Sequence, residues 1–234
     1  MGKNKFKRFK ENETFGCLLQ PEFDDIFRKD HYIKGAWRKE FFRNDNPVCL
    51  ELGCGRGEYT VGLGVRNPET NYIGIDIKGA RMWRGAKTAT ENQMNNIGFL
   101  RTRIEFINSF FTKDEIDEIW ITFPDPQLKK GREKKRLTSS VFLSMYAEFL
   151  KPNGLIHLKT DCRELHDYTK EVIRVNGLEL VEQNTDIYGM EFADEILSVK
   201  TTYEEFYLKQ GVPITYVSFR LNGKKEFISP EMPE

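Results

Sequence analysis

Between Pro47 and Thr60 the chain reads PVCLELGCGRGEYT. Val48 to Leu52 is an apolar run broken only by Glu51, enough for one short buried strand, and Gly53, Gly55 and Gly57 follow at alternate positions. Glycine takes positive φ at no steric cost, so this spacing specifies a tight turn that brings bare backbone up to a ligand. Glu58 onward reads as a helix start. A strand, a glycine turn and a helix together form the opening unit of an open α/β sheet, whose ligands bind outside the carboxyl ends of its strands. A dinucleotide fingerprint would need its third glycine at position 58, where Glu58 stands, so the spacing argues against a nicotinamide cofactor.

With 234 residues, 39% hydrophobic and 31% charged, the chain suits one sizeable α/β domain with additions. That domain is expected over 31–234, preceded by a basic, mobile arm over 1–30. No apolar stretch reaches the length of a membrane span, and the lysine-rich opening leads into no signal-peptide core, so no membrane partner and a cytoplasmic location are expected. Cys17, Cys49, Cys54 and Cys162 lack C-x-x-C spacing, and three histidines are too few to suggest zinc; no metal is expected. The 36 basic and 36 acidic residues cancel, yet their distribution is uneven. Lys3, Lys5, Lys7, Arg8 and Lys10 crowd the amino terminus, and Lys129, Lys130, Arg132, Lys134, Lys135 and Arg136 crowd a later loop. Such patches suit phosphates even on a neutral molecule.

Further along, Asp30 to Phe42 reads as a short helix. Asn71–Asp76 reads as the second strand, ending on an acid about 20 residues past the glycines, where a ribose diol would be held. A helix is expected over Arg81 to Asn95 and a third strand over Arg101 to Ile107, with Asn108 at its carboxyl end, where an amide is suited equally to reading an adenine and to a simple turn role. Asp117 to Phe123 is a fourth strand that runs into Pro124-Asp125-Pro126. Prolines on both sides of Asp125 forbid helix or ladder continuation and fix a carboxylate at the strand end. The basic loop follows directly, which favours phosphate binding over a merely solvated surface. Leu155 to Asp161 is the fifth strand, with Asp161 at its end. Leu178 to Val181 suggests an edge strand, and Ile214 to Leu221 a last strand alternating Thr215, Val217 and Phe219 with Tyr216, Ser218 and Arg220.

Taken together, Glu51-Leu-Gly-Cys-Gly-Arg-Gly57, Tyr72-Ile-Gly-Ile-Asp76, Phe123-Pro-Asp-Pro126 with Lys129 and Lys134-Lys-Arg-Leu137, and Leu158-Lys-Thr-Asp161 resemble the bacterial tRNA (guanine-N7)-methyltransferase family. The resemblance covers about residues 15–221. It implies a Rossmann-like class I fold, a mostly parallel seven-stranded sheet with an antiparallel edge strand and helices on both faces. It also implies S-adenosyl-L-methionine as cofactor, tRNA as partner, and a monomer or homodimer. By the same resemblance Glu51, Gly53, Gly55, Asp76, Asn108 and Asp125 would line the cofactor site, with Asp125 the catalytic carboxylate. Lys129, Asp161 and the Thr201, Thr202, Tyr203 and Glu204 segment, which resembles the family's T-x-[FY]-E element, would hold the guanosine. Lys130, Arg132, Lys134, Lys135 and Arg136 would meet phosphates. The chain departs from the family pattern at Gln127, where an aromatic is usual, and in lacking a loop histidine.

Guanine N7 carries a free in-plane lone pair, so its methylation needs orientation and electrostatics rather than a strong base. Three other readings compete. Methylation of another RNA base stays open, whereas an exocyclic-amine methylase would need an acid followed by two prolines and an aromatic, and here Asp125 lies between its prolines with Gln127 next. A nicotinamide oxidoreductase fails on the glycine spacing. A non-catalytic RNA-binding subunit with a methyltransferase fold would keep the same binding residues.

Overall fold

The computed structural model describes residues 3–129, 131–189 and 195–231. Two compact units emerge, Met1–Thr112 and Lys113–Glu234.

In the first unit four strands run parallel in the order β1-β4-β3-β2. β2 (Val48–Leu52) and β3 (Asn71–Asp76) fall where the apolar runs predict, and their register sets Glu51 beside Gly74. The third strand comes earlier than predicted: β4 is Ile97–Arg101, and Ile104–Ser109 winds as a 3₁₀ helix. Gly98 gives the reason. It looks like a turn glycine, but an added Cβ would stand 2.6 Å from Cε1 of Phe41, so the residue makes room for a ring inside a strand. Two-residue β1 (Leu18–Leu19) beside β4 brings the described residues to eight strands rather than seven. It belongs to the stretch read as an arm, which also forms α1 (Lys3–Asn12) and α2 (Phe23–Ile26). Trp37–Phe42 makes a wide helical turn that buries Trp37, whose Nε1 donates to the carbonyl of Phe110 at 2.9 Å.

Helices α3 (Glu58–Arg66) and α4 (Gly79–Glu91) follow β2 and β3. Gly57 starts α3 at φ +72°, and an added Cβ would lie 2.5 Å from Cε1 of Phe99 and 3.2 Å from Cα of Gly85. The third glycine of the turn therefore serves packing.

The second unit holds β5 (Ile116–Thr122), β6 (Leu150–Thr160), β7 (Glu179–Asn184) and β8 (Thr215–Arg220) in the order β5-β6-β8-β7. β5 and β6 are parallel, while β8 runs antiparallel to both neighbours. β8 is buried on both faces, so its apparent alternation does not mark a solvent side. Helices α5 (Ser140–Tyr146), α6 (Arg163–Val175) and α7 (Thr202–Leu208) complete the unit.

Gly57→Ala should lower stability by about 2–4 kcal/mol, since left-handed strain adds to a clash with Phe99. Gly53→Ala, with nothing within 4 Å of an added Cβ, should cost only about 1–2 kcal/mol from strain. Urea midpoints of the two variants measure the difference.

Candidate active site

In the first unit the glycine turn hangs from β3. The amides of Gly53 and Cys54 both donate to the carbonyl of Ile75, at 2.8 and 3.0 Å. Gly53 and Gly55 have φ of +80° and +55°, and an added Cβ at Gly55 would meet only the carbonyl oxygen of Gly53, at 3.9 Å. The turn thus presents an uncluttered backbone surface. Asp76 closes it: Oδ2 accepts from the amide of Gly55 at 3.0 Å and Oδ1 from that of Lys78 at 2.7 Å. Each carboxylate oxygen has a second lone pair, so this leaves acceptor capacity for a diol.

Glu51 differs from expectation. Its side chain is buried, and Oε2 accepts both the amide of Thr60, at 2.8 Å, and the Thr60 hydroxyl. The carboxylate ties the end of β2 to the first turn of α3, so its observed work is to shape the turn. Between the acids lies Cys54, buried, its thiol pushed well above the usual range by desolvation and then by the charges of Glu51 and Asp76. Asn108, in the 3₁₀ turn after β4, keeps a buried Oδ1 with no hydrogen-bond partner among the described residues. An unpaired buried acceptor is costly unless a ligand supplies a donor.

In the second unit Asp125 is exposed on a strained loop. Phe123 and Gln127 have φ of +47° and +49°, and the amide of Gln127 donates to Oδ1 of Asp125 at 3.1 Å. A buried cation fixes this loop: Nε of Arg136 donates to the carbonyl of Pro126 at 3.1 Å, and its guanidinium lies 4.2 Å from the Tyr168 ring centroid. Arg136 is only 6% exposed, which corrects its expected place in the phosphate patch. Sequence cannot separate it from its neighbours, because only packing on Tyr168 distinguishes them. Lys129, Arg132, Lys134 and Lys135 are exposed, as phosphate contact requires, while Lys130 lies outside the described residues.

Asp161, at the end of β6, is half-buried, and desolvation raises its carboxyl above the usual range. The hydrogen bond with Tyr203, then burial, then the charge of Asp161 push the Tyr207 hydroxyl up to about 12. The ring centroids of Tyr203 and Phe123 are 6.1 Å apart, so the Asp125 loop, Asp161 and α7 share one end of this unit. Within the T-x-[FY]-E element, Thr202 and Tyr203 are exposed, Tyr203 by 54%.

Glu204 is fully buried, against the expectation of a nucleoside contact. Its Oε1 lies 2.7 Å from Nζ of Lys159, itself fully buried, and accepts the Tyr188 hydroxyl at 2.6 Å. Glu204 and Thr201 also form a reciprocal capping box at the start of α7. Lys159 donates onward to the carbonyls of Leu197 and Val199, at 2.7 and 3.0 Å. Burial pushes the Lys159 ammonium below its ordinary range, and the Glu204 charge opposes that shift. Neither side chain reaches the surface; together they fasten α7 and the segment before it to β6. Sequence alone assigns Lys159 no role of its own, although it lies within the Leu158-Lys-Thr-Asp161 motif and follows the apolar Leu155, Ile156 and Leu158.

A parallel sheet with a glycine turn after β2 and an acid closing β3 is the Rossmann-like arrangement of class I S-adenosylmethionine-dependent methyltransferases. Solved structures share the fold. A crystal structure of the 16S rRNA methyltransferase KamB matches with a TM-score of 0.61, covering 86% of this chain and 96% of that one at 14% identity. An antibiotic-related methyltransferase matches at 0.59, covering 77% and 90% at 17% identity. The family model described as "Putative methyltransferase" matches residues 45–217. The tRNA (guanine-N(7)-)-methyltransferase of Christiangramia forsetii is 50% identical over 220 residues, 94% of this chain and 98% of that protein. That of Porphyromonas gingivalis is 54% identical over 212 residues, 89% and 86% of the two chains. The chain belongs to the tRNA (guanine-N(7)-)-methyltransferase family.

Lys159→Met should destabilise the protein by about 3–5 kcal/mol, because it leaves the Glu204 carboxylate buried without its cation. Adding Glu204→Gln should recover part of that loss. A double-mutant cycle in urea reads the coupling, which vanishes if the two side chains act independently.

Proposed function

We propose that this chain methylates N7 of a tRNA guanine with S-adenosyl-L-methionine as donor, at guanosine 46 of the variable loop, and works in the cytoplasm. One observation carries the activity: half of all positions are identical across 94% of the chain to a relative named for that reaction. The residues of the first unit fit the cofactor. Gly53 and Gly55 leave space where any side chain would intrude. Asp76 retains acceptor capacity suited to the ribose hydroxyls, and the orphaned Oδ1 of Asn108 suits the exocyclic amine of adenine. Glu51 holds the turn in shape through Thr60. When bound, the cofactor supplies an electrophilic methyl group on sulfonium.

The chain need not remove a proton from the nucleophile, because the N7 lone pair is free. Its work is to orient guanine and to favour the positive charge that the base acquires. Asp125, exposed on a loop fixed by two prolines and by Arg136, is suited to accept from the N1 and N2 hydrogens of guanine. Its negative charge favours the cationic product. Asp161, partly desolvated, gains most from a donor that a bound base would bring. Tyr203 offers an exposed ring for stacking. Lys129, Arg132, Lys134 and Lys135 can neutralise phosphates, and Lys159 and Glu204 keep α7 in position.

Asp125→Asn should keep adenosylmethionine affinity within about threefold by calorimetry, yet slow single-turnover methylation of tRNA by about 100-fold or more, the scale of removing one electrostatic interaction with the transition state. Unchanged single-turnover rates would remove Asp125 from the mechanism. Labelled methyl transfer to bulk tRNA, followed by cleavage at alkali-labile 7-methylguanosine, tests the reaction itself. Label on an exocyclic amine, or no transfer, would overturn this reading.

A further inference from the structure

Helix α1, KNKFKRFKEN, packs five cations and one acid into ten residues. The acid is turned inward. Glu11 Oε1 accepts from Nζ of Lys87 and Oε2 from Nε1 of Trp83, both at 2.7 Å on α4. These hydrogen bonds, that of Lys87 first, hold the Glu11 carboxyl below its usual range. Asn12, buried, donates through Nδ2 to the carbonyl of Gly79 at 2.9 Å. Phe9 lies against the same glycine, where an added Cβ would meet its ring at 3.1 Å. The apolar, amide and acidic positions of α1 therefore dock it onto α4. Its cations are left over: Lys5, Lys7, Arg8 and Lys10 are exposed.

What remains at the surface is a cavity of about 600 Å³ lined by Lys7, Arg8, Lys10 and Lys87 around the half-buried ring of Trp83. The Arg8 guanidinium lies 4.6 Å from that ring centroid and the Lys87 ammonium 5.3 Å. Lys7 and Lys10 are one helical turn apart, as are the exposed Arg84 and the half-buried Lys87 on α4, so each helix contributes a short row of cations. Among the described residues, ion pairs engage Lys87 with Glu11 and Glu91, and none is seen for Lys7, Arg8 or Lys10. Like charges gathered at this density repel one another, and a polyanion relieves that repulsion.

We propose that the α1–α4 face is a second phosphate-binding surface for tRNA, additional to the loop at 129–136. The inference rests on tRNA being the substrate. It gives a role to the basic amino terminus, whose charge pattern alone is equally compatible with an idle solvated tail. Phosphates are the fitting ligand because four of the lining side chains, Lys7, Arg8, Lys10 and Lys87, end in ammonium or guanidinium groups whose charge a phosphate matches.

Filter binding of an unmodified tRNA transcript across a potassium chloride series tests it. Lys7→Gln/Lys10→Gln keeps helix propensity and every docking interaction, and should reduce the slope of log K against log salt by roughly 1.5, about 0.7–0.9 for each phosphate no longer neutralised. Arg84→Gln, which leaves the docking of α1 on α4 intact, should reduce it by about 0.8. Adenosylmethionine affinity should stay within twofold in both. A wild-type slope in either variant overturns the shared surface. If the unmodified chain methylates tRNA while the slopes stay put, this inference alone fails. If the unmodified chain neither binds nor methylates tRNA, the activity reading fails and the surface with it.

Discussion

Backbone in the left-handed region at Gly53, Gly55 and Gly57 is the constraint on which the first unit turns. Glycine reaches this region without strain but is free to leave it, so the turn keeps one shape only through its surroundings, which hold it from two sides. The carbonyl of Ile75 and the carboxylate of Asp76 hold the turn's amides, while Phe99 and Gly85 press on its last glycine. Glu51 adds the third restraint by bonding Thr60 in the helix that follows. The acids that a reader of the motif would hand to a ligand are thus also the fasteners of the cradle. A preformed cradle spares the ordering cost that a flexible loop would incur on binding.

The second unit uses buried cations for a similar purpose. Lys159 fastens α7 to β6, and Arg136 fastens the Pro124-Asp125-Pro126 loop through Pro126 and Tyr168. Cations at the surface and cations inside therefore divide the labour: the first suit phosphates, the second hold groups that suit the base. Buried charge is expensive unless fully partnered. Lys159 meets that condition with one carboxylate and two carbonyls, and its partners belong to the segments that must be placed.

Much of this was legible in the chain. β2 and β3 fall on the residues that their apolar runs mark, because parallel strands buried on both faces show as near-continuous hydrophobic stretches, interrupted here by Glu51 in β2 and Gly74 in β3. The strand after α4 was displaced because Gly98 reads as punctuation when its role is to admit the ring of Phe41. α1 was missed because its docking face is only Phe9, Glu11 and Asn12, too few positions to form a period against so many lysines. Among the candidate residues, the motifs place Asp76, Asp125 and Asp161 at or just past strand ends but do not separate members that point outward from members that point inward. Glu204 and Arg136 share motifs with exposed neighbours, and burial is a property of packing that no spacing encodes.

Cys54 carries a consequence of a different kind. Its thiol is buried within the glycine turn, and desolvation first, then the charges of Glu51 and Asp76, disfavour its thiolate, so alkylating reagents gain access to a reactive thiolate only when that turn opens. The rate at which it is labelled is then a clock on local breathing of the cradle, independent of methyl transfer. A cofactor that settles on the turn would slow that clock, which makes this one sulfur an intrinsic gauge of how firmly the pocket is held shut.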